Sequence, residues 1–248
     1  EGVNVIINLV GEKIFQKWTK KTKKEILSSR IKPIDLLMKG IKRSNEIGIR
    51  SFVSASAIGI YQNDFEKNYT ENETIDPQNF IQKAVYEWEK KSMSVRKLIP
   101  HTSILRIGLV LSKKNGYLKE TDYPMKFGIG IQLGSGKQWQ SWIHIDDIAN
   151  IFLFIADTNP RGIYNAVAPN PLPQKLFLKK IRVCSFRKFM IIKLPSLLLK
   201  YFFGERAYIL LDSQRVSSKK ILELGYEFAY KEVDEALNNL YKRNDNLT

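Results

Sequence analysis

Cysteine is almost absent from this 248-residue chain: Cys184 stands alone. That excludes an internal disulfide framework and leaves no cysteine pair at metal-ligand spacing. Histidine is nearly as scarce, with two residues, so no metal site is expected and a reducing, cytoplasmic or organellar stroma or matrix location is. No apolar run reaches the roughly 20 residues that cross a bilayer. The most apolar late stretch, residues 189–203, is interrupted by Lys193, Pro195 and Lys200, so no membrane partner is expected. The opening Glu1-Gly2-Val3-Asn4 lacks the basic start, apolar stretch and small-residue cleavage site of a secretory signal. Internal repeats and low-complexity segments are missing as well.

Acidic residues are also in short supply: 25 against 40 lysines and arginines, for a net charge of +15. Much of the excess sits in residues 13–24, Lys-Ile-Phe-Gln-Lys-Trp-Thr-Lys-Lys-Thr-Lys-Lys. Such a run suits a polyanion surface. A solvated helix face is the simpler reading, because the other lysines are scattered and no stacking-aromatic motif accompanies them.

What is present is a core. Apolar residues make up 44% of the chain, enough for one large α/β domain or a domain with a smaller companion. Residues 3–10, Val-Asn-Val-Ile-Ile-Asn-Leu-Val, form a nearly continuous β-branched run of the kind buried in a parallel sheet. A helical pattern follows over residues 19–45, with Pro33 as an expected kink or break. Strand 51–57, a polar loop 59–79, helix 80–98 and strand 102–111 come next. Alternation of this kind predicts a right-handed parallel α/β sheet. Further on, the pattern predicts helix 117–127, loop 128–136, extended chain 138–145, helix 148–156, strand 162–166 and helix 174–183. The tail reads as a strand near 189–193 and helices at 196–203, 205–211 and 231–241.

The densest stretch of special side chains is Gly134-Ser135-Gly136-Lys137-Gln138-Trp139-Gln140-Ser141-Trp142-Ile143-His144-Ile145-Asp146-Asp147. Its glycines permit turns closed to other residues, and Asp146 or Asp147 is expected to cap the helix that follows. On residue types alone the simpler reading is a strand-to-helix junction whose tryptophans fill the core.

Trp142-Ile143-His144-Ile145-Asp146-Asp147 resembles an element of the extended short-chain dehydrogenase/reductases, which include sugar-nucleotide epimerases. Together with Asn8-Leu9-Val10-Gly11-Glu12, Ser54-Ala55-Ser56-Ala57, Arg106-Ile107-Gly108-Leu109-Val110-Leu111 and Ala168-Pro169-Asn170-Pro171, it is similar to the "epimerase family protein" branch, sometimes labelled cell-division inhibitors. The likeness runs from residue 3 to about residue 240 in the family's motif order. It implies a Rossmann-like parallel sheet over residues 1–160 and a small α+β, substrate-side C-terminal domain over 161–248. Dinucleotide-binding domains carry a G-x-x-G-x-x-G turn whose amides and helix N-terminus hold the pyrophosphate. These 248 residues contain no such motif, so the sheet is expected to be N-terminally incomplete and NADP binding weak or absent.

The resemblance implies site residues. Short-chain dehydrogenases use a Ser or Thr with a Y-x-x-x-K pair one helical turn apart, where the ammonium lowers the phenol pKa. Ser56 matches the serine. The Tyr and Lys positions fall on Phe80 and Ala84, which carry neither hydroxyl nor amine. The literal Tyr86 to Lys90 pair lies six residues later, about 240° around and about 9 Å along a helix, and reads as a surface pair. His144 is the other catalytic candidate, expected to face the crevice between walls from Trp139 and Trp142 with polar contacts from Gln138 and Ser141. Leu9, Val10 and Val110 match positions along the cofactor, and Glu25 and Arg30 match helix positions that reach NADP. The function so implied is an NADP-binding oxidoreductase or epimerase-like protein of unknown small-molecule substrate. A non-catalytic regulatory protein on a degenerate dehydrogenase fold is the alternative, and a basic nucleic-acid-binding protein a more distant one.

Overall fold

A computed structural model describes residues 3–43, 48–185 and 187–242. The chain enters through β1 (Val5–Asn8), α1 (Lys20–Arg43), β2 (Ser51–Ala57), β3 (Asn68–Tyr69) and α2 (Phe80–Ser94). It continues through β4 (His101–Ile107), β5 (Leu109–Leu111), α3 (Tyr117–Met125), β6 (Ile129–Leu133), β7 (Trp139–Gln140) and β8 (Trp142–His144). Then come α4 (Ile145–Thr158), β9 (Gly162–Ala166), β10 (Leu172–Pro173), α5 (Gln174–Cys184) and β11 (Met190–Leu194). The tail holds α6 (Ser196–Phe203), α7 (Ala207–Leu211), β12 (Arg215–Val216), α8 (Lys219–Glu223) and α9 (Val233–Lys242).

Four parallel strands in the order β1-β2-β4-β9 make the main sheet, with helices between successive strands as the alternating pattern requires. This is a Rossmann-like parallel α/β architecture. The last of these strands, β9, begins at Gly162, so the sheet extends past the 1–160 stretch into the segment assigned by resemblance to the C-terminal domain.

Its core fills the space between sheet and helices with Phe52, Val53, Trp88, Leu105, Ile151 and Ile155, all buried. A second cluster gathers Leu118, Trp142, Phe177, Leu178 and Leu237 from α3, β8, α5 and α9. Ile221, Tyr226 and Phe228 from the tail pack into the first cluster, so the C-terminal segment is anchored to the sheet domain.

Three local expectations need correction. Of the kink or break expected at Pro33, the break does not occur, since the residue lies inside α1. It removes one helical donor, while Ile26, Arg30, Ile34 and Ile41 bury one stripe on both sides of it. The stretch 102–111 is two strands divided at Gly108, which leaves the main sheet so that β5 can pair with β8. Residues 128–136 are not all loop, because β6 pairs in parallel with β11, about sixty residues later. The helix expected at 148 begins at Ile145, and its N-cap is His144 rather than an aspartate. The expected helix end at 44–45 falls outside the described residues.

The lysine run is a largely exposed face. Lys13, Lys17, Lys20, Lys21 and Lys24 are exposed, while Lys23 pairs with Glu205 and lies over the Trp18 and Phe80 rings. No described helix is long and apolar enough to cross a membrane, and no cluster of three or more His, Cys, Asp or Glu among the described residues could hold a metal ion.

Candidate functional site

Ligands of open α/β sheets sit beyond the carboxyl ends of the strands, and a cleft of about 240 Å³ lies there. Ala57, Ile58 and Gly59 after β2 and Ile107, Gly108 and Leu109 after β4 form its floor. Asn79 and Ile81 at the start of α2 and Trp139, Gln140 and Ser141 from β7 and its end make two walls. Tyr208, Ile209, Asp212 and Gln214 close it from the tail.

The central motif holds this cleft to the tail. Gly134 and Gly136 turn with φ of +57° and +68°, a region costly for other residues. Gln138 is buried and donates to the carbonyls of Leu133 and Leu210 at 3.0 and 3.3 Å. Ser141 donates to the Gln214 carbonyl at 2.7 Å and accepts from the Val216 amide at 3.0 Å. Gly108 is required by close approach: a Cβ there would lie 2.2 Å from the Ser141 carbonyl oxygen and 2.7 Å from Val167 Cγ1. Trp139 forms a wall as expected, its indole donating to the Phe65 carbonyl at 2.9 Å. Trp142 does not; it is fully buried in the second core, donating to the Asn170 carbonyl.

His144 also departs from its expected orientation. It is fully buried and does not line the cleft. Its Nδ1 accepts from the Asp146 amide at 3.1 Å, which caps α4, and its ring lies 4.0 Å from that of Tyr230. At the turn from β8 straight into α4 the His144 side chain supplies the cap, and its ring lies against Tyr230 of the tail. Asp147, fully buried, accepts from the Tyr226 hydroxyl and from the amides of Ala229 and Tyr230, a strap between α4 and the tail.

Ser56 is likewise enclosed. Its hydroxyl donates to Glu89 Oε1 at 2.6 Å. The same carboxylate receives Arg106 Nε and Nη2 at 2.9 and 2.8 Å, and Arg106 Nη1 donates to the Tyr61 hydroxyl, which donates to Asn165. Burial alone would lower the Arg106 pKa, but Glu89 and Tyr61 hold it above its usual value. Burial pushes the Tyr61 phenol up to about 12 against the opposing pull of Arg106. Ser56 is thus a donor in a satisfied buried network beneath the floor, one residue before the cleft begins at Ala57. Ser54, also buried, bonds to Asn8 and Ser92.

At the Y-x-x-x-K positions, Phe80 packs against Trp18 and Ala84 is buried. Tyr86 is 39% exposed and Lys90 is exposed on the outer face.

The expected cofactor contacts divide. Leu9 and Val10, 62% and 51% exposed at the carboxyl end of β1, leave apolar surface open. Val110 packs into the sheet core. Arg30 turns inward, donating to the carbonyls of Ile26 and Glu12 with its guanidinium over Trp88, and burial lowers its pKa. Glu25 stays outside near Lys21. Arg30 and Glu25 therefore do not converge on one ligand, since five residues on a helix put them about 140° apart.

Sequence reasoning missed Tyr208, Asp212 and Gln214. They lie some 150 residues after β2 in the chain and belong to no motif quoted above, so only the fold brings them to the strand ends. Burial pushes the half-buried Asp212 carboxyl up to about 6, with Lys200 opposing.

Parallel sheet, strand-end cleft and glycine corner define a Rossmann-like protein of the NAD(P)-binding epimerase and dehydrogenase class. Comparison with known proteins narrows this. Epimerase family protein YfhF of Bacillus subtilis is 34% identical over 239 residues, covering 96% of this chain and 78% of its own. Epimerase family protein SA0724 of Staphylococcus aureus is 34% identical over 243 residues, covering 98% and 80%. The chain belongs to the epimerase family proteins. Residues 194–240 match a domain of unknown function, DUF1731. The crystal structure of human epimerase family protein SDR39U1 with NADPH superposes with a TM-score of 0.89 at 27% identity, covering 98% of this chain and 83% of that one. A dTDP-4-dehydrorhamnose reductase from Bacillus anthracis in complex with NADP, 17% identical, shares the fold with a TM-score of 0.77 over 97% of this chain and 80% of that one.

Proposed function

We propose that this chain binds NADP(H) along the carboxyl ends of β1, β2 and β4 and acts on a small molecule seated in the adjoining cleft. The observation that carries the reading is the cleft itself, with its floor at Ala57 to Gly59 and Ile107 to Leu109, in a family whose human member was crystallised with NADPH.

The residues fit such a cofactor in part. Exposed Leu9 and Val10 offer apolar surface at the end of β1, and Gly59 and Gly108 line the cleft at the ends of β2 and β4. The pyrophosphate has no glycine-loop cradle among the 248 residues, and Arg30 is committed to backbone carbonyls. Bound NADP(H) would supply hydride chemistry. The chain's own residues shape the cleft, exclude water with Ile58, Ile81 and Leu109, and hold the walls through Ser141 and Gln138. Ser56 and His144 act as positioning residues, the first through Glu89 and the second through the turn into α4. We expect these residues alone to hold NADP(H) more weakly than micromolar, because peripheral contacts must offset the full cost of association.

A second reading, a ligand-binding regulatory protein on a degenerate dehydrogenase fold, is favoured by Phe80 and Ala84, which cannot transfer a proton. Titration with NADPH and NADH by calorimetry and by amide chemical shift separates the two. The expected result is weak binding with shifts at Leu9, Val10 and Gly59. Absence of shifts at these strand ends would reject the cofactor reading, and micromolar affinity would reject the expected weakness.

A further inference from the structure

The cleft's polar lining is divided between groups already in use and groups held open. Ser141 has both a donor and an acceptor partner, and Asn79 caps α2 through Gln82. The carboxylate of Asp212, the side-chain amide of Gln140 and the hydroxyl of Tyr208 line the same cleft with no hydrogen-bond partner among the described residues. A half-buried polar group left without a partner costs free energy unless water or a ligand completes it. Asp212 and Gln140 are part-buried and Tyr208 is 45% exposed, so the three groups converge from β7 and the tail open to water or a ligand.

Charge narrows what they recognise. In a chain with 40 lysines and arginines, no basic side chain among the described residues lines this cleft, and Asp212 is the one charged residue among those that do. Lys200 on α6 acts on Asp212 from outside the lining, and the Arg215 guanidinium lies 4.6 Å from the centre of the Trp139 ring. A diphosphate would meet a carboxylate where it needs a cation.

We propose that this cleft binds a small, non-anionic ligand that presents hydroxyl or ammonium hydrogens to the Asp212 carboxylate, with Gln140 and Tyr208 as accompanying contacts. The proposal rests on the reading that the cleft is the substrate side of the molecule, and it assigns the substrate class: neutral polyhydroxy or amino compounds rather than nucleoside-diphosphate sugars. A volume of about 240 Å³ suits a ligand of that size.

Recognition by a carboxylate carries a pH signature. Lys200 from α6 acts on Asp212, and Tyr208 lines the same cleft. Ammonium binding should be lost as the pH falls through about 6, where Asp212 takes up its proton.

Nuclear magnetic resonance of the side-chain amide of Gln140 and the indole N–H of Trp139 tests this with meso-erythritol, ethanolamine and UDP-glucose. Both small probes should shift these signals and UDP-glucose should not. Asp212→Asn, close to isosteric and so expected to remain folded, should weaken ethanolamine at least tenfold, as should a drop from pH 7.5 to pH 5. Tighter saturation by UDP-glucose, an unchanged ethanolamine affinity in Asp212→Asn, or no shift with any probe would each overturn the proposal. NADPH-induced shifts at Leu9 and Val10 report separately on the cofactor reading. They would persist if only the ligand class were wrong, and would be missing if the cofactor reading failed while the probes still bound.

Discussion

The buried carboxylate Glu89 tests whether Ser56 belongs to the scaffold. Its side chain is 7% exposed, that of Arg106 3%, and the two meet through a pair of hydrogen bonds at 2.9 and 2.8 Å, with Ser56 adding a third to the same carboxylate at 2.6 Å. Replacing Glu89 by Leu leaves the Arg106 guanidinium buried with the Tyr61 hydroxyl as its remaining side-chain partner. Loss of one member of a buried pair costs about 3–5 kcal/mol, whereas replacing both by apolar residues of similar volume is often neutral. Glu89→Leu should therefore destabilise by about 4 kcal/mol, and Glu89→Leu with Arg106→Met should recover most of that loss. For a chain of this length, about 4 kcal/mol corresponds to roughly 8–16 °C in melting temperature. Ser56→Ala, which removes one bond to a charged group, should cost about 1–3 kcal/mol. Urea unfolding followed by circular dichroism reads all three, provided the slope with denaturant is unchanged. A Glu89→Leu loss below about 1 kcal/mol, or a double variant no better than the single one, would refute the account of this network. So would a Ser56→Ala variant of unaltered stability.

Gly108→Ala should lower the melting temperature and alter Trp139 fluorescence, because its Cβ would lie 2.2 Å from the Ser141 carbonyl oxygen and overpacking typically costs about 1–3 kcal/mol; an unchanged melting curve would count against that close approach. His144→Asn keeps a side-chain acceptor at the start of α4, so it should cost less stability than His144→Ala, which loses both the cap, about 1 kcal/mol, and the packing against Tyr230. Equal losses in the two variants would remove the capping role. Asp212 titrates near pH 6 when folded, above its ordinary 3.8, so the native state holds this charge at a cost and loses stability as the pH rises from about 4 through 6. Asp212→Asn should then be more stable than the wild type at pH 7 and equal to it near pH 4. The full shift of about two units would be roughly 3 kcal/mol, reduced to about 1 kcal/mol by solvent screening of a half-buried group; a pH-independent difference in melting temperature would contradict this.

Local pattern was enough to locate β2 at Ser51–Ala57, β9 at Gly162–Ala166 and α6 at Ser196–Phe203, because each is a run of suitable residues bounded by Gly, Pro or a polar break. The order of motifs was likewise enough to show the family and its parallel sheet. The break at Gly108 was invisible along the chain. It exists because the Ser141 carbonyl approaches there from more than thirty residues away. The strand β6 was hidden for the same reason, since its alternation is punctuated by glycines and its partner is β11. Side-chain direction was the larger gap. His144 and Ser56 sit where the motifs put them, yet one ring is claimed by the turn into α4 and one hydroxyl by Glu89. A hydroxyl or imidazole is free to face a ligand only if no nearer partner takes it, and those partners come from other elements. Asp212 shows the converse: an aspartate unremarked in the sequence acquires a raised pKa and a place in the cleft because packing of the tail against β7 removes part of its water and gives the carboxylate no hydrogen-bond partner among the described residues.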